Sequence, residues 1–235
     1  MSLTSPTFCI VIGAMKSGTT TFFDLLSRHP QVAASDEKEL HFFSRSEDPI
    51  GKLGEYFEHW CYEAERHQIC LEASTSYTKH PLDDVRKSAA AMRASGLNFK
   101  FIYIVRNPFE RIISHVSHRL SRNEDINRDV LELAILISSY GTQLTEFLYG
   151  FPEAQILVIE FTDLVENRNE LMQQVQDFLE LPHHRLDLAG EVHSNASNQR
   201  ASLNGATLKH IHDRLHEDML LFKKLTNFDI KRWGF

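Results

Sequence analysis

The stretch Phe8-Cys-Ile-Val-Ile12, running into Gly13-Ala-Met-Lys16-Ser17-Gly18-Thr19-Thr20, limits the fold more than any other part of the chain. A buried-type strand enters a glycine turn, and an apolar-periodic helix follows near Thr19–Arg28. Strand, turn and helix N-terminus in that order make an anion cradle. Glycines let the backbone approach a phosphate, and the first N–H groups of the helix point at it. The run still departs from an ATPase P-loop, in which Gly-x-x-x-x-Gly is followed by Lys and then Ser or Thr. Gly13 and Gly18 have the spacing, but Thr19 stands at the lysine position and Lys16 lies inside the loop. The loop suits a different phosphorylated donor.

Apolar runs of strand length recur at Thr7–Ile12, Gln31–Ala34, Gln68–Leu71, Phe99–Val105 and Gln155–Phe161. Helical patterns lie between and after them, near Pro81–Ala94, Pro108–Arg122, Val130–Tyr149 and Arg168–Leu179. Strands alternating with helices predict an α/β fold: one central parallel sheet, containing the P-loop-like turn, with helices on both faces. Phe99-Lys-Phe-Ile-Tyr-Ile-Val105 is the strongest strand, and Asn107-Pro108 after it supplies a helix N-cap and a first-turn proline. A short helix is expected at Leu53–Trp60, while Glu124–Arg128 either caps a helix or forms a loop over the site. His193–Ser202 reads as an exposed polar loop, with a C-terminal helix from Leu203.

The 235 residues fit a single domain, residues 1–235, with no repeat or linker dividing them. With 25 lysines and arginines against 32 acidic residues, the net charge of −7 argues against a general nucleic-acid coat. It leaves room for a local basic pocket. Cys9, Cys61 and Cys70 lack metal or redox spacing, and Cys9 and Cys70 sit in strand-like runs as small buried residues. No secretory leader opens the chain and no apolar run approaches a membrane span, so a cytoplasmic protein is expected.

Two further constellations carry chemistry. Arg106 ends the Phe99–Val105 strand and Ser114 follows eight residues later on the next helix. Ligands gather at the carboxyl ends of parallel strands, so this pair lies near the first loop and offers charge-assisted donors to a second phosphate. The structural alternative is an ion-paired Arg106 with Ser114 on a helix surface. Lys38-Glu39-Leu40-His41-Phe42-Phe43-Ser44 places two ionisable groups, Glu39 and His41, on one side of the chain if it is extended. That suits an acid/base group with an orienting partner. The alternative is an amphipathic turn with Phe42 and Phe43 in the core. Arg111 is expected to form a salt bridge to a neighbouring helix. His115 and His118, three apart, have no further ligands close in sequence, so no metal is expected.

Together these segments resemble the sulfotransferases that use 3′-phosphoadenosine 5′-phosphosulfate (PAPS), particularly the Golgi carbohydrate (heparan sulfate) branch and its bacterial relatives. Phe8–Thr20, with Lys-x-Gly-Thr at Lys16–Thr19, is similar to that family's 5′-phosphosulfate loop, here residues 13–20. Ile104-Val-Arg106-Asn-Pro-Phe-Glu-Arg111-Ile-Ile-Ser114 is similar to its 3′-phosphate motif, residues 104–114, and Lys38-Glu39-Leu-His41-Phe-Phe to its Lys-Glu-x-His-Phe-Phe element. The chain departs at Glu72-Ala73-Ser74-Thr75-Ser76-Tyr77, where the heparan sulfate enzymes often carry Glu-Lys-Thr/Ser-Pro-x-Tyr, and at Ser44, where an acidic residue is common. Both departures touch the acceptor side.

The resemblance implies a nucleotide-binding transferase that moves a sulfuryl group from PAPS to a hydroxyl or amine without a metal. Lys16, Ser17, Gly18, Thr19 and Thr20 would hold the 5′-phosphosulfate, Arg106 and Ser114 the 3′-phosphate, and Arg200 in the late polar loop would add a cation. Glu39 would be the general base, Lys16 would stabilise the transition state, and His41 would be a backup base or orienting partner. The acceptor would be a small molecule, a lipid or a glycan, and Phe42, Phe43, Tyr56, Phe57, Trp60 and Tyr77 either line an apolar pocket for it or pack the core. A P-loop nucleotide kinase or NTPase is the first alternative, and it requires a lysine after Gly18. A catalytically silent nucleotide-binding module is the second.

Overall fold

The computed structural model describes residues 6–79, 81–186 and 201–235. Five strands, β1 (Thr7–Gly13), β2 (Val32–Ala34), β3 (Ile69–Ala73), β4 (Phe99–Val105) and β5 (Ile156–Glu160), pair in the order β2-β3-β1-β4-β5, all parallel. Around them run α1 (Thr19–Leu26), α2 (Phe42–Arg45), α3 (Leu53–Phe57), α4 (Leu82–Ala94) and α5 (Pro108–Leu120). Then follow α6 (Arg128–Ile137), α7 (Tyr140–Leu148), α8 (Phe161–Glu166), α9 (Arg168–Phe178) and α10 (Gly205–Thr226).

Alternation along the strands decides what covers each face. Phe8, Ile10 and Ile12 of β1 join Phe99, Phe101, Tyr103 and Val105 of β4 in a core closed by α4, α5, α7 and α10. Cys9 and Val11 point the other way, with Ile102 and Ile104, into a second core built with Phe22, Leu25 and Leu26 of α1 and Leu171, Met172 and Val175 of α9. A strand buried on both faces needs an unbroken apolar run, and β1 and β4 have one. Each such Phe, Leu or Ile removed from water contributes about 1.5–3 kcal/mol. Phe43, Tyr56, Trp60 and Tyr77 lie in the first core, which settles them as packing residues. Cys9 and Cys70 are buried and Cys61 is exposed.

The chain builds one side of β1 with β2 and β3 before crossing to the other side with β4 and β5. The crevice between the two halves therefore opens at the carboxyl end of β1, the ligand position of open parallel sheets.

Several boundaries differ from the sequence pattern. The helical stretch Val130–Tyr149 is two helices, broken at Ser138-Ser139. Asp218 of α10 accepts from the N–H groups of Gly141 and Thr142 at 2.9 and 2.8 Å, and from Thr142 Oγ1 at 2.6 Å. A carboxylate from another helix thus satisfies donors that the start of α7 leaves free. Gly141 permits the approach, because a Cβ there would lie 2.5 Å from the Asp218 carbonyl oxygen. The break is tertiary in origin. Asn127 accepts from Val130 N–H at 3.0 Å and caps α6, the capping choice for the 124–128 segment. The short third helix stops at Phe57 rather than Trp60, and the C-terminal helix starts at Gly205, capped by Asn204.

Candidate active site

The loop after β1 is held by its glycines. Gly13 has φ +151°, and a Cβ there would lie 2.0 Å from Thr78 Oγ1. Gly18 has φ +82°, and a Cβ there would meet the Phe161 ring at 2.8 Å. The Ser17 N–H turns back to the Ala14 carbonyl oxygen at 3.1 Å, whereas among the described residues no backbone hydrogen bond engages the N–H groups of Gly18, Thr19 and Thr20. No side chain caps α1, so its N-terminus is left open. Lys16 is half-buried with no carboxylate partner among the described residues. Burial lowers its pKa, and Arg106, Arg111 and Arg122 lower it further.

Arg106 stands at the carboxyl end of β4, beside this loop. Its Nη1 lies 3.4 Å from the Lys16 carbonyl oxygen, its Nε donates to Glu110 Oε2 at 3.2 Å, and its guanidinium carbon is 4.6 Å from the Phe161 ring centroid. The Tyr140 hydroxyl donates to the Arg106 carbonyl oxygen at 2.8 Å. Ser114, two turns along α5, is half-buried and its hydroxyl has no hydrogen-bond partner among the described residues. Arg111 corrects an expectation. It makes no salt bridge among the described residues but is fully buried, donating to Ser138 Oγ at 2.7 Å and to the carbonyl oxygens of Ala134 and Met15. Neutral oxygens, one of them in the loop after β1, take the place of a carboxylate.

The third constellation meets the same rim from β2 and β3. Glu39 and His41 are not extended: both have positive φ, 66° and 56°. The turn nonetheless brings them together, with His41 Nδ1 3.8 Å from Glu39 Oε2. Glu39 Oε2 accepts from the Thr75 N–H at 2.8 Å and from Thr75 Oγ1 at 3.2 Å, while Oε1 accepts from Lys38 Nζ at 2.6 Å. His41 Nδ1 pairs with Ser76 Oγ at 2.8 Å. Burial lowers the His41 pKa, opposed by Glu39 and reinforced by Arg45, Lys38 and Lys79.

Beneath this turn lies Glu72, a fully buried carboxylate that the sequence pattern did not single out as a centre. It accepts from Tyr56 at 2.7 Å, Ser74 at 2.7 Å and Tyr77 at 2.8 Å, and burial raises its pKa. Ser74 Oγ accepts the His41 N–H at 3.0 Å, and the Glu39 N–H donates to the Ala73 carbonyl oxygen at 2.8 Å. The loop that carries Glu39 and His41 is thus hung on the end of β3. Thr75, Ser76 and Phe161 are the site neighbours that sequence reasoning passed over. Only the run of hydroxyls in Ser74-Thr75-Ser76 could have signalled the first two.

Arg200 lies outside the described residues. Among the described residues, no group of three or more His, Cys, Asp or Glu side chains is placed to hold a metal ion, and no helix is long and apolar enough to cross a membrane.

The donor set suits a nucleotide with an anion at each end. Ser17 Oγ is fully buried without a well-aligned hydrogen bond, the Tyr140 hydroxyl beside it being committed to the Arg106 carbonyl oxygen. That orphaned hydroxyl, the amides of residues 18–20 and the Lys16 cation all belong to the one loop after β1. Arg106 and Ser114 would suit a second anion. These residues fit PAPS.

A model described as the sulfotransferase domain matches residues 6–204. The heparan sulfate glucosamine 3-O-sulfotransferase 3B1 of Mus musculus is 32% identical over 186 residues, 73% of this chain and 45% of the relative. The heparan sulfate glucosamine 3-O-sulfotransferase 5 of Homo sapiens is 28% identical over 190 residues, 74% of this chain and 53% of the relative. The chain therefore spans about half the length of these relatives. A crystal structure of a sulfotransferase from Alicyclobacillus acidocaldarius superposes with a TM-score of 0.78 at 20% identity, covering 99% of this chain and all of the other. The sulfotransferase domain of a Synechococcus olefin synthase superposes at 0.60 with 15% identity, over 95% and 94% of the two chains. The fold agrees in both cases. With the loop after β1, Arg106 and the Glu39–His41 turn at one end of the sheet, and a family model over most of its length, this chain belongs to the sulfotransferase domain family.

Proposed function

We propose that this chain is a PAPS-dependent sulfotransferase moving a sulfuryl group to a hydroxyl or amine, as one domain over residues 1–235. Residues 13–20 form its 5′-phosphosulfate loop and residues 104–114 its 3′-phosphate motif. The observation that carries the reading is the contact of Arg106 with the Lys16 carbonyl oxygen, which brings the two proposed anion sites together, with the Glu39–His41 pair, 3.8 Å apart, on the same rim. PAPS, when bound, supplies the activated sulfuryl group and a phosphate leaving group.

Lys16 and the N–H groups of residues 18–20 bind the 5′ end and offset the charge that develops there. A preorganised donor of this kind is worth about 3–4 kcal/mol of barrier. Arg106 and Ser114 select the 3′-phosphate. Glu39 takes the acceptor proton at Oε1 or Oε2. Its orientation is held by Thr75 and Lys38, so the carboxylate need not reorganise when an acceptor arrives. His41, with a lowered pKa and Nδ1 engaged by Ser76, presents a neutral ring as orienting partner or second base.

The named relatives act on heparan sulfate glucosamine, which favours a glycan hydroxyl as acceptor. Ala73 and Ser44 distinguish this acceptor side from the pattern of the heparan sulfate enzymes, so a shorter or differently charged acceptor is expected.

The test joins binding to turnover. Calorimetry without added metal should show 3′-phosphoadenosine 5′-phosphate (PAP) binding well ahead of 5′-AMP and ATP. Glu39→Gln should keep that affinity and lose about 10²–10⁴-fold in transfer to a working acceptor. Equal affinity for the three nucleotides overturns the donor assignment, and full activity of the variant overturns the role of Glu39.

A further inference from the structure

Arg106 is held by more than its own loop. One aromatic ring, Phe161, lies under its guanidinium and also fills the space beside Gly18. The same ring therefore touches both the arginine of the second anion site and the loop of the first. Phe161 opens α8 and directly follows Glu160, the last residue of β5.

Glu160 looks to the opposite side of the sheet, and its side chain is 4% exposed. Its Oε1 accepts from the Trp233 indole N–H at 2.7 Å, and its Oε2 from the Arg232 guanidinium. Both partners belong to a single 3₁₀ turn, Ile230–Trp233. Arg232 also lies 5.5 Å from the Phe228 ring centroid.

The same turn reaches Arg106 by a second route. The Trp233 ring stands 6.1 Å from the Tyr140 ring, and the Tyr140 hydroxyl donates to the Arg106 carbonyl oxygen. One branch of contacts thus leads to the Arg106 backbone and the other to the ring beneath its side chain. A buried carboxylate with two charge-assisted or indole donors is a fixed point, because losing either donor leaves a charge under-satisfied away from water.

We propose that Glu160, Arg232 and Trp233 form a latch by which the C-terminal turn positions Arg106 and Phe161, and so sets selectivity for a 3′-phosphorylated nucleotide. The three are positioning residues that act through Arg106. The inference rests on the donor reading given above.

The experiment measures calorimetric Kd values for PAP and for 5′-AMP on the full chain. The proteins are the wild type, Glu160→Gln, Trp233→Phe, Arg106→Ala and the Arg106→Ala/Trp233→Phe double variant. Trp233→Phe keeps a ring and deletes the N–H donor, so it stands in if Glu160→Gln does not fold. PAP affinity is expected to fall on the order of tenfold in either latch variant while 5′-AMP affinity stays within about twofold. In the Arg106→Ala background the Trp233→Phe loss should vanish. Equal losses for both nucleotides, no loss for either, or additive losses in the double variant overturn the latch. A wild type that does not prefer PAP overturns the donor reading itself, and the latch falls with it.

Discussion

His115 gives a prediction whose size follows from where the ring sits. It is 5% exposed on α5, and neither ring nitrogen has a hydrogen-bond partner among the described residues. Burial, with Arg111, Arg119, Lys79 and Lys16 adding to it, holds its pKa down to about 3 from 6.5. The ring is therefore neutral in the folded protein at any pH in ordinary use. In the unfolded chain it gains a proton below 6.5. The unfolded state then binds more protons than the native state, so stability falls as the pH drops from 6.5 towards 3. Between pH 7 and pH 5 the two pKa values imply a loss of about 2 kcal/mol from this residue alone. His115→Leu removes both the titration and two buried nitrogens. At pH 7 it should match or exceed the wild type by about 1–2 kcal/mol, since an unsatisfied buried polar atom is costly. Urea unfolding of both proteins at pH 7 and pH 5 isolates the term, because the acidic groups and other histidines are common to both. The leucine variant should gain about a further 2 kcal/mol over the wild type at the lower pH. A difference independent of pH would refute the idea that this ring is held neutral.

Two further substitutions test the frame of the site. Gly18→Ala puts a Cβ at φ +82° and 2.8 Å from the Phe161 ring, so a left-handed penalty of about 1–2 kcal/mol should lower the melting midpoint by about 2–8 °C. A midpoint equal to the wild type by scanning fluorimetry would count against the loop geometry. Asp218→Ala strips the start of α7 of three hydrogen bonds and should cost about 2 kcal/mol in urea unfolding, a loss that an unchanged curve would disprove.

Much of the frame was readable in the chain because its signals are local. Unbroken apolar runs declare β1 and β4, and Asn107-Pro108 declares the start of α5. Gly13 and Gly18 mark a loop whose backbone no other residue would adopt without strain. What escaped depends on partners distant in sequence. The break at Ser138-Ser139 is enforced by Asp218, some 77 residues on from Gly141. Arg111 looked like half of an ion pair, yet its partners are a hydroxyl and carbonyl oxygens from segments 23 to 96 residues away. Left-handed backbone at Glu39 and His41 leaves no local signature, so an extended segment and an amphipathic turn with Phe42 and Phe43 in the core both suit the residues; the structure has the turn, with Phe43 buried. Glu72 was visible as a residue but not as a centre, because Tyr56, Ser74 and Tyr77 meet only when the sheet edge folds over it.

That last cluster has a consequence for how such a chain can diverge. Glu72, its three hydroxyl donors, and the Glu39–His41 turn that Ser74 supports all lie between positions 31 and 79. The residues proposed to hold the nucleotide come instead from the turn after β1, from the end of β4 and from α5, with Phe161 after β5 against them. The block from 31 to 79 carries its own buried anchor and docks on β1 through the β3 register and the Thr78 hydroxyl. Its aromatics Phe43, Tyr56 and Trp60 pack on Phe8 and Phe99, so it can diverge only in step with β1 and β4. If Glu39 is the base proposed above, a change in acceptor within such a family has to be made on a surface that is also load-carrying core.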